Sequence, residues 1–278
     1  MTKITQIQFS EKTFAKLFFG YFILLLFYRL HSSAFLIYAF GQPMKGPDVD
    51  YAYWLSCSIG FPHFIITQFW TCVLVDIGVM VFAFACFFES KYRSFFGLAL
   101  LLFYFTQRMT LETYSCAHVK STSAIFIALI PFCFQKKNNF LLSMEFARYF
   151  LIYILVMSAY SKINNGLLFN PSNFANILIN QHSDLATLNP THYCYSIAKI
   201  LIQHPIYAAL SYVLLFCTQA IFIIGFFTKK YDRILFICLL IFSTLTYFVM
   251  RIYNFDIVVL GLSLLYFKST ASKDIIKN

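Results

Sequence analysis

The sequence predicts an all-α integral membrane protein, a polytopic helical bundle of about eight transmembrane helices. Of its 278 residues, 60% are hydrophobic and only 12% are charged, whereas soluble domains carry about 25% charged residues. Apolar segments recur along the whole chain and leave no stretch long enough for a soluble domain. We therefore expect a single membrane domain over residues 1–278, with no cleavable signal peptide and no appended catalytic module.

Eight apolar segments predict the helices. A helix needs about 20 apolar residues to cross about 30 Å of hydrocarbon, and the first, second, fifth, sixth and seventh segments are that long. The third, fourth and eighth segments are short, so we expect them to stop before the far interface or to line a wet cavity. The segments cover residues 14–40, 64–88, 94–107, 119–134, 141–161, 206–227, 231–250 and 252–267.

The cations predict the orientation of the chain in a cell membrane. With a cytoplasmic N-terminus and eight crossings, 14 of the 21 Lys and Arg residues fall on the cytoplasmic side and 7 on the other. Clusters at 91–93, 136–137 and 229–233 mark successive cytoplasmic connections, which places both termini inside. We assign the net charge of +10 to contact with anionic membrane lipid and not to nucleic acid.

Several polar side chains occur at or within the outer ends of the predicted helices. Because an ionisable group inside a membrane costs about 2.5–3.5 kcal/mol, we expect these groups to share one outward-facing cavity that binds a substrate. Eight scattered Cys residues without a close pair predict no metal site. The candidate residues are Arg29, Arg108, Glu112, His118, Lys162, Arg251, Asn254 and Asp256.

Four of the candidates also have a plainer interpretation. Lys162 and Arg251 would serve equally well as interfacial anchors, and Arg29 would pair with an acid of the first outer loop such as Asp48. His118 would be a packed or solvated side chain. Asp76, inside the second segment, is expected to form a buried hydrogen bond between helices.

The most specific motif surrounds Lys162. An aromatic helix from Tyr149 ends in the small pair Ser158-Ala159, followed by Lys162 and a polar turn that closes at Gly166. This stretch resembles a segment of the vitamin K-dependent gamma-carboxylase membrane region, which belongs to the horizontally transferred transmembrane (HTTM) family. The resemblance extends in helix order over residues 10–267. It implies that Lys162 is a catalytic base, that His118 supports it, and that a reduced quinone is the cofactor.

The chain also departs from that family. Leu167 and Phe169 stand where the family has a Trp, the pair at 116–117 replaces two Asn residues, and Arg251 lies where a His is expected. The lumenal domain that holds carboxylase substrates has no counterpart. The chain also resembles short bacterial members of the family, which act in export or maturation of secreted peptide toxins.

Two functions follow from these observations. In the first, the neutral amine of Lys162 removes a proton from a quinone-like lipid at the outer face, His118 relays charge, and Arg108 or Arg251 holds the developing oxyanion. In the second, the chain is a non-enzymatic membrane subunit for export, maturation or immunity of a secreted peptide. A transporter would show broken helices and paired repeats, and the sequence shows neither.

Overall fold

The protein is a polytopic helical membrane protein. The computed structural model describes residues 10–42, 58–89, 91–114, 122–166 and 170–266, and within these ranges every regular element is helical. Among the described residues, six helices are long and apolar enough to cross a membrane. They are Glu11–Ala39, Phe69–Phe88, Arg93–Tyr114, Lys137–Asn164, Pro205–Phe227 and Asp232–Met250.

The fourth and eighth predicted segments form shorter apolar helices, Ala124–Cys133 and Phe255–Tyr266. The predicted number of eight crossings is therefore not confirmed. The third segment was predicted to be short, and this was wrong because its helix runs from Arg93 to Tyr114. Hydropathy falls after residue 106, but Gln107 and Arg108 are each 1% exposed and continue the helix on its buried face.

The chain divides into two compact units, and the division falls between residues 144 and 145, inside a long helix. The first unit contains described residues from 10 to 144. Its elements are α1 Glu11–His31, α2 Leu36–Ala39, α3 Phe61–Thr67, α4 Phe69–Phe88, α5 Arg93–Tyr114, α6 Thr122–Leu129, the 3₁₀ turn Ile130–Cys133 and the start of α7, Lys137–Asn164.

In the first unit, α4 packs against α1 and α5, and α5 also packs against the 3₁₀ turn. Phe132 of that turn contacts the rings of Phe14, Phe18 and Phe19, so aromatic packing joins the turn to α1. A Cβ at Gly97 would lie 2.6 Å from the carbonyl oxygen of Phe132. The absence of a side chain at this position therefore permits the close approach of α5 and the turn.

The second unit begins within α7. It continues with α8 Pro171–Gln181, α9 Ser183–Leu188, α10 Tyr193–Gln203, α11 Pro205–Ala220, the 3₁₀ turn Ile221–Ile223, α12 Ile224–Phe227, α13 Asp232–Met250, α14 Phe255–Gly261 and α15 Ser263–Tyr266. Here α11 packs against α8 and α13, and α10 packs against α13 and α8.

A buried ion pair fixes the turn between α12 and α13 to α7. The guanidinium of Arg148 donates from Nε to Asp232 at 2.7 Å and from Nη2 to the Gly225 carbonyl at 2.8 Å. Lys229 of the same turn pairs with Glu145 of α7. The Arg148 side chain is fully buried.

Candidate functional site

A small cavity in the second unit contains Lys162. Its volume is about 260 Å³, and nine of its fourteen lining residues are apolar or aromatic, which is typical of sites for lipid-soluble molecules. The apolar and aromatic lining consists of Ile154, Leu155, Ile177, Tyr212, Leu215, Phe242, Met250, Ile252 and Ile257. The polar lining consists of Ser158, Lys162, Gln219, Thr246 and Asn254.

Lys162 lies in the last turn of α7, one turn after Ser158. Its half-buried amine donates to Oε1 of Gln219 at 2.5 Å, to Oγ of Ser158 at 3.1 Å and to the Ser158 carbonyl at 3.4 Å. An ammonium group has three hydrogens and accepts none. The site therefore offers one acceptor for each hydrogen of the charged form of Lys162.

The orientation of Gln219 follows from the same hydrogen bonds. Its Nε2 donates to Oγ of Ser158 at 3.1 Å, so its Oε1 is the atom that faces the Lys162 amine. Among the residues that the structure describes, no carboxylate pairs with Lys162. The residues that surround the Lys162 amine are thus neutral, and a bound anion would supply the negative charge that complements an ammonium.

A second polar pair lines the cavity. Asn254, the residue that precedes α14, donates from Nδ2 to Oγ1 of Thr246 at 3.0 Å. The Thr246 hydroxyl itself donates to the carbonyls of Phe242 at 2.9 Å and Ser243 at 3.0 Å in the preceding turn of α13. Asn254 is therefore the one predicted substrate-binding residue that lines the same cavity as Lys162 in the described structure.

Arg251 does not line this cavity. It ends α13 in the left-handed conformation, with φ 53, and its Nη1 donates to both carboxylate oxygens of Asp184 in α9, at 2.7 and 2.8 Å. That hydrogen bond lowers the pKa of Asp184 and raises the pKa of Arg251. Asp256 is buried in the first turn of α14, next to the lining residue Ile257.

The other described candidates belong to the first unit. Arg29 of α1 is buried and donates to the hydroxyl of Tyr104 at 2.6 Å. Tyr104, Arg108 and Glu112 succeed one another at intervals of four residues on α5, so they form one stripe of that helix. His118 lies outside the described residues. The outward-facing cavity shared by all the candidates therefore stays a prediction. Of these candidates, the structure places Lys162 and Asn254 in the lining of one cavity.

Asp76 forms hydrogen bonds between elements, as the sequence predicted. It accepts from Nε2 of Gln107 at 2.7 Å and from the backbone amides of Leu36 and Ile37 at 3.2 and 3.0 Å. These bonds connect α4 to α5 and to the start of α2. Asp76 therefore has a structural role.

Gln219 and Thr246 were missed by the sequence reasoning. Gln219 is the sole side-chain amide of the apolar run 206–227, and this isolation was a signal that it occupies a buried polar position. Thr246 had no such signal, because a Thr hydroxyl in a helix often bonds to a carbonyl of the preceding turn.

No protein-family model matches the chain, and neither curated proteins nor solved structures gave a match. The geometry of the cavity around Lys162 therefore carries the functional proposal.

Proposed function

We propose that this protein is a membrane enzyme that binds a reduced, quinone-like lipid in the cavity and that Lys162 removes a proton from one of its hydroxyl groups. The arrangement of Lys162 supports this proposal most. Its amine faces an apolar cavity, has three hydrogen-bond acceptors and has no carboxylate partner among the described residues.

The proton transfer balances within the complex. The lone pair of the neutral Lys162 amine takes the proton, the ligand O–H bond breaks, and its electron pair stays on the oxygen as an aryloxide. Gln219 and Ser158 then hold the ammonium, and the aryloxide is its counter-ion. Acceptors already in position for the charged product stabilise it without reorganisation at the moment of transfer.

The volume of the cavity limits how much of the ligand it can enclose. Its volume of about 260 Å³ lies below the range of about 300–1,000 Å³ for drug-sized ligands. It therefore suits an aromatic headgroup and not a long hydrocarbon chain, which would extend into lipid. The resemblance around Lys162 to the gamma-carboxylase membrane region agrees with a quinone-like headgroup and adds His118 as a supporting residue.

Substitution of Lys162 tests the proposal. A guanidinium stays protonated near pH 7, so Lys162→Arg should abolish formation of the aryloxide of bound 1,4-dihydroxynaphthalene, followed anaerobically by absorbance, while expression and melting temperature remain unchanged. Lys162→Ala should be equally inactive, and added small amines should restore part of the aryloxide signal. Lys199→Arg, at an exposed position of α10, is the matched control and should form the aryloxide as the wild-type protein does.

An active Lys162→Arg variant would contradict this function. It would reduce Lys162 to an interfacial anchor and favour the alternative, a non-enzymatic membrane subunit for export, maturation or immunity of a secreted peptide.

A further inference from the structure

We propose that Asn254, oriented by Thr246, is a specificity-determining residue that selects ligands with a second hydroxyl group. This inference rests on the proposed function and deepens it, because it specifies the chemistry that the ligand presents away from Lys162. The Asn254 side chain supplies an acceptor, and the ligand must supply the donor.

The Thr246 hydroxyl determines which way the Asn254 amide faces. Its single hydrogen is directed at the carbonyls of the preceding turn, so Oγ1 acts as an acceptor toward Asn254. The Asn254 amide must then present Nδ2 to Thr246, and Oδ1 takes the remaining direction. Among the described residues, no group donates to that oxygen.

Asn254 occupies a helix-capping position but does not cap the helix with its side chain. It is the N-cap residue of α14, where an Asn side chain usually accepts a hydrogen bond from the first turn of the helix. Here the side chain makes no such capping bond, and it lines the cavity instead. The capping contribution is thus forgone at a place where Asn254 lines the cavity.

Two separate polar groups consequently face one apolar cavity. The first consists of Lys162, Ser158 and Gln219, and the second consists of Thr246 and Asn254, with no hydrogen bond between the two groups. A ligand with two hydroxyls satisfies both, since one transfers its proton to Lys162 and the other donates to Oδ1 of Asn254. A ligand with one hydroxyl leaves the Asn254 acceptor desolvated and unpaired.

A pair of ring compounds tests this inference. 1,4-Dihydroxynaphthalene and 1-naphthol differ by one hydroxyl, and their binding is measured anaerobically on the purified full-length protein in detergent. The wild-type protein should bind the diol at least about tenfold more tightly. Asn254→Leu should reduce this preference to within about twofold.

A second variant separates positioning from contact. Thr246→Val removes the group that orients the amide, so the preference for the diol should also fall, without loss of naphthol binding. Thr218→Val is its matched control, because the Thr218 hydroxyl likewise bonds to its own helix but does not line the cavity. It should keep the wild-type preference.

The outcomes distinguish this inference from the proposed function. Equal binding of the two compounds to the wild-type protein, or an unchanged preference in Asn254→Leu and Thr246→Val, would overturn the role of Asn254 alone. Ile177→Trp should block the cavity, whereas Ile179→Trp, exposed on the same helix, should not. If neither compound binds, or if Ile177→Trp leaves binding unchanged, the proposed function fails and this inference fails with it.

Discussion

Polar side chains inside this protein differ in whether their hydrogen bonds join elements of the fold. Asp76 receives three hydrogen bonds from α2 and α5, and Arg148 pairs with Asp232 while it also donates to backbone carbonyls. Such groups hold elements together. Asn254 instead lines the cavity with an acceptor that no described residue satisfies, and this position makes it a candidate ligand contact.

Asp76→Ala should destabilise the first unit. It leaves two backbone amides and the Gln107 side chain without their acceptor, and an unpaired buried polar group costs about 1–3 kcal/mol. We therefore expect a loss of about 3 kcal/mol, measured by thermal or denaturant unfolding in detergent. Asp76→Asn, which retains one acceptor oxygen, should cost less. Asp184→Ala, at an exposed acid, is the control, and equal effects of Asp76→Ala and Asp184→Ala would contradict this role.

At the scale of elements, the close contact between α5 and the 3₁₀ turn depends on the lack of a side chain at Gly97. Gly20 of α1 provides the comparison, because a Cβ there would meet only Phe87 at 3.5 Å, an ordinary van der Waals distance. A Cβ atom would therefore fit at Gly20 but would overlap the neighbouring backbone at Gly97.

Gly97→Ala should destabilise the protein, since its methyl group would overlap backbone that cannot move without displacing the aromatic cluster around Phe132. Overpacking of this kind costs about 1–3 kcal/mol. Gly20→Ala should be neutral or slightly stabilising, because Ala favours helix by about 1 kcal/mol over Gly. Melting temperatures of the two variants in the same detergent measure the difference, and a harmless Gly97→Ala would refute the close packing.

The sequence predicted the long helices better than the lining of the cavity. Long apolar runs identified the spans because the bilayer dictates their length, and Lys162 was selected as a candidate because its motif is local in the chain. The third span was underestimated, since hydropathy does not reveal that Gln107 and Arg108 face the interior. Gln219 and Thr246 reach Lys162 and Asn254 only through packing of α11 and α13, which no local pattern encodes.

At the scale of the whole molecule, the orientation of the spans rests on the distribution of Lys and Arg. The six long helices make the chain a multi-pass membrane protein, and the cytoplasmic location of both termini stays a prediction. It depends on whether the two shorter apolar helices, Ala124–Cys133 and Phe255–Tyr266, also cross.

Cysteine labelling should decide the orientation. Asn138→Cys, next to the cation pair at 136–137, should react with a membrane-impermeant thiol reagent only from the cytoplasmic side. Ser183→Cys, at the start of α9, should react only from outside. The wild-type protein supplies the background from its native cysteines, and labelling of both positions from outside would overturn the predicted topology.

The most direct test of Lys162 as a base measures the ionisation of a bound ligand. The absorbance spectrum distinguishes 1-naphthol from its anion, so it reports whether the proton has left the ligand in the cavity at pH 7. We predict the anion on the wild-type protein and neutral naphthol on Lys162→Met, whose side chain has similar length but no amine. Neutral naphthol on the wild-type protein, or the same spectrum on both proteins, would contradict proton transfer to Lys162.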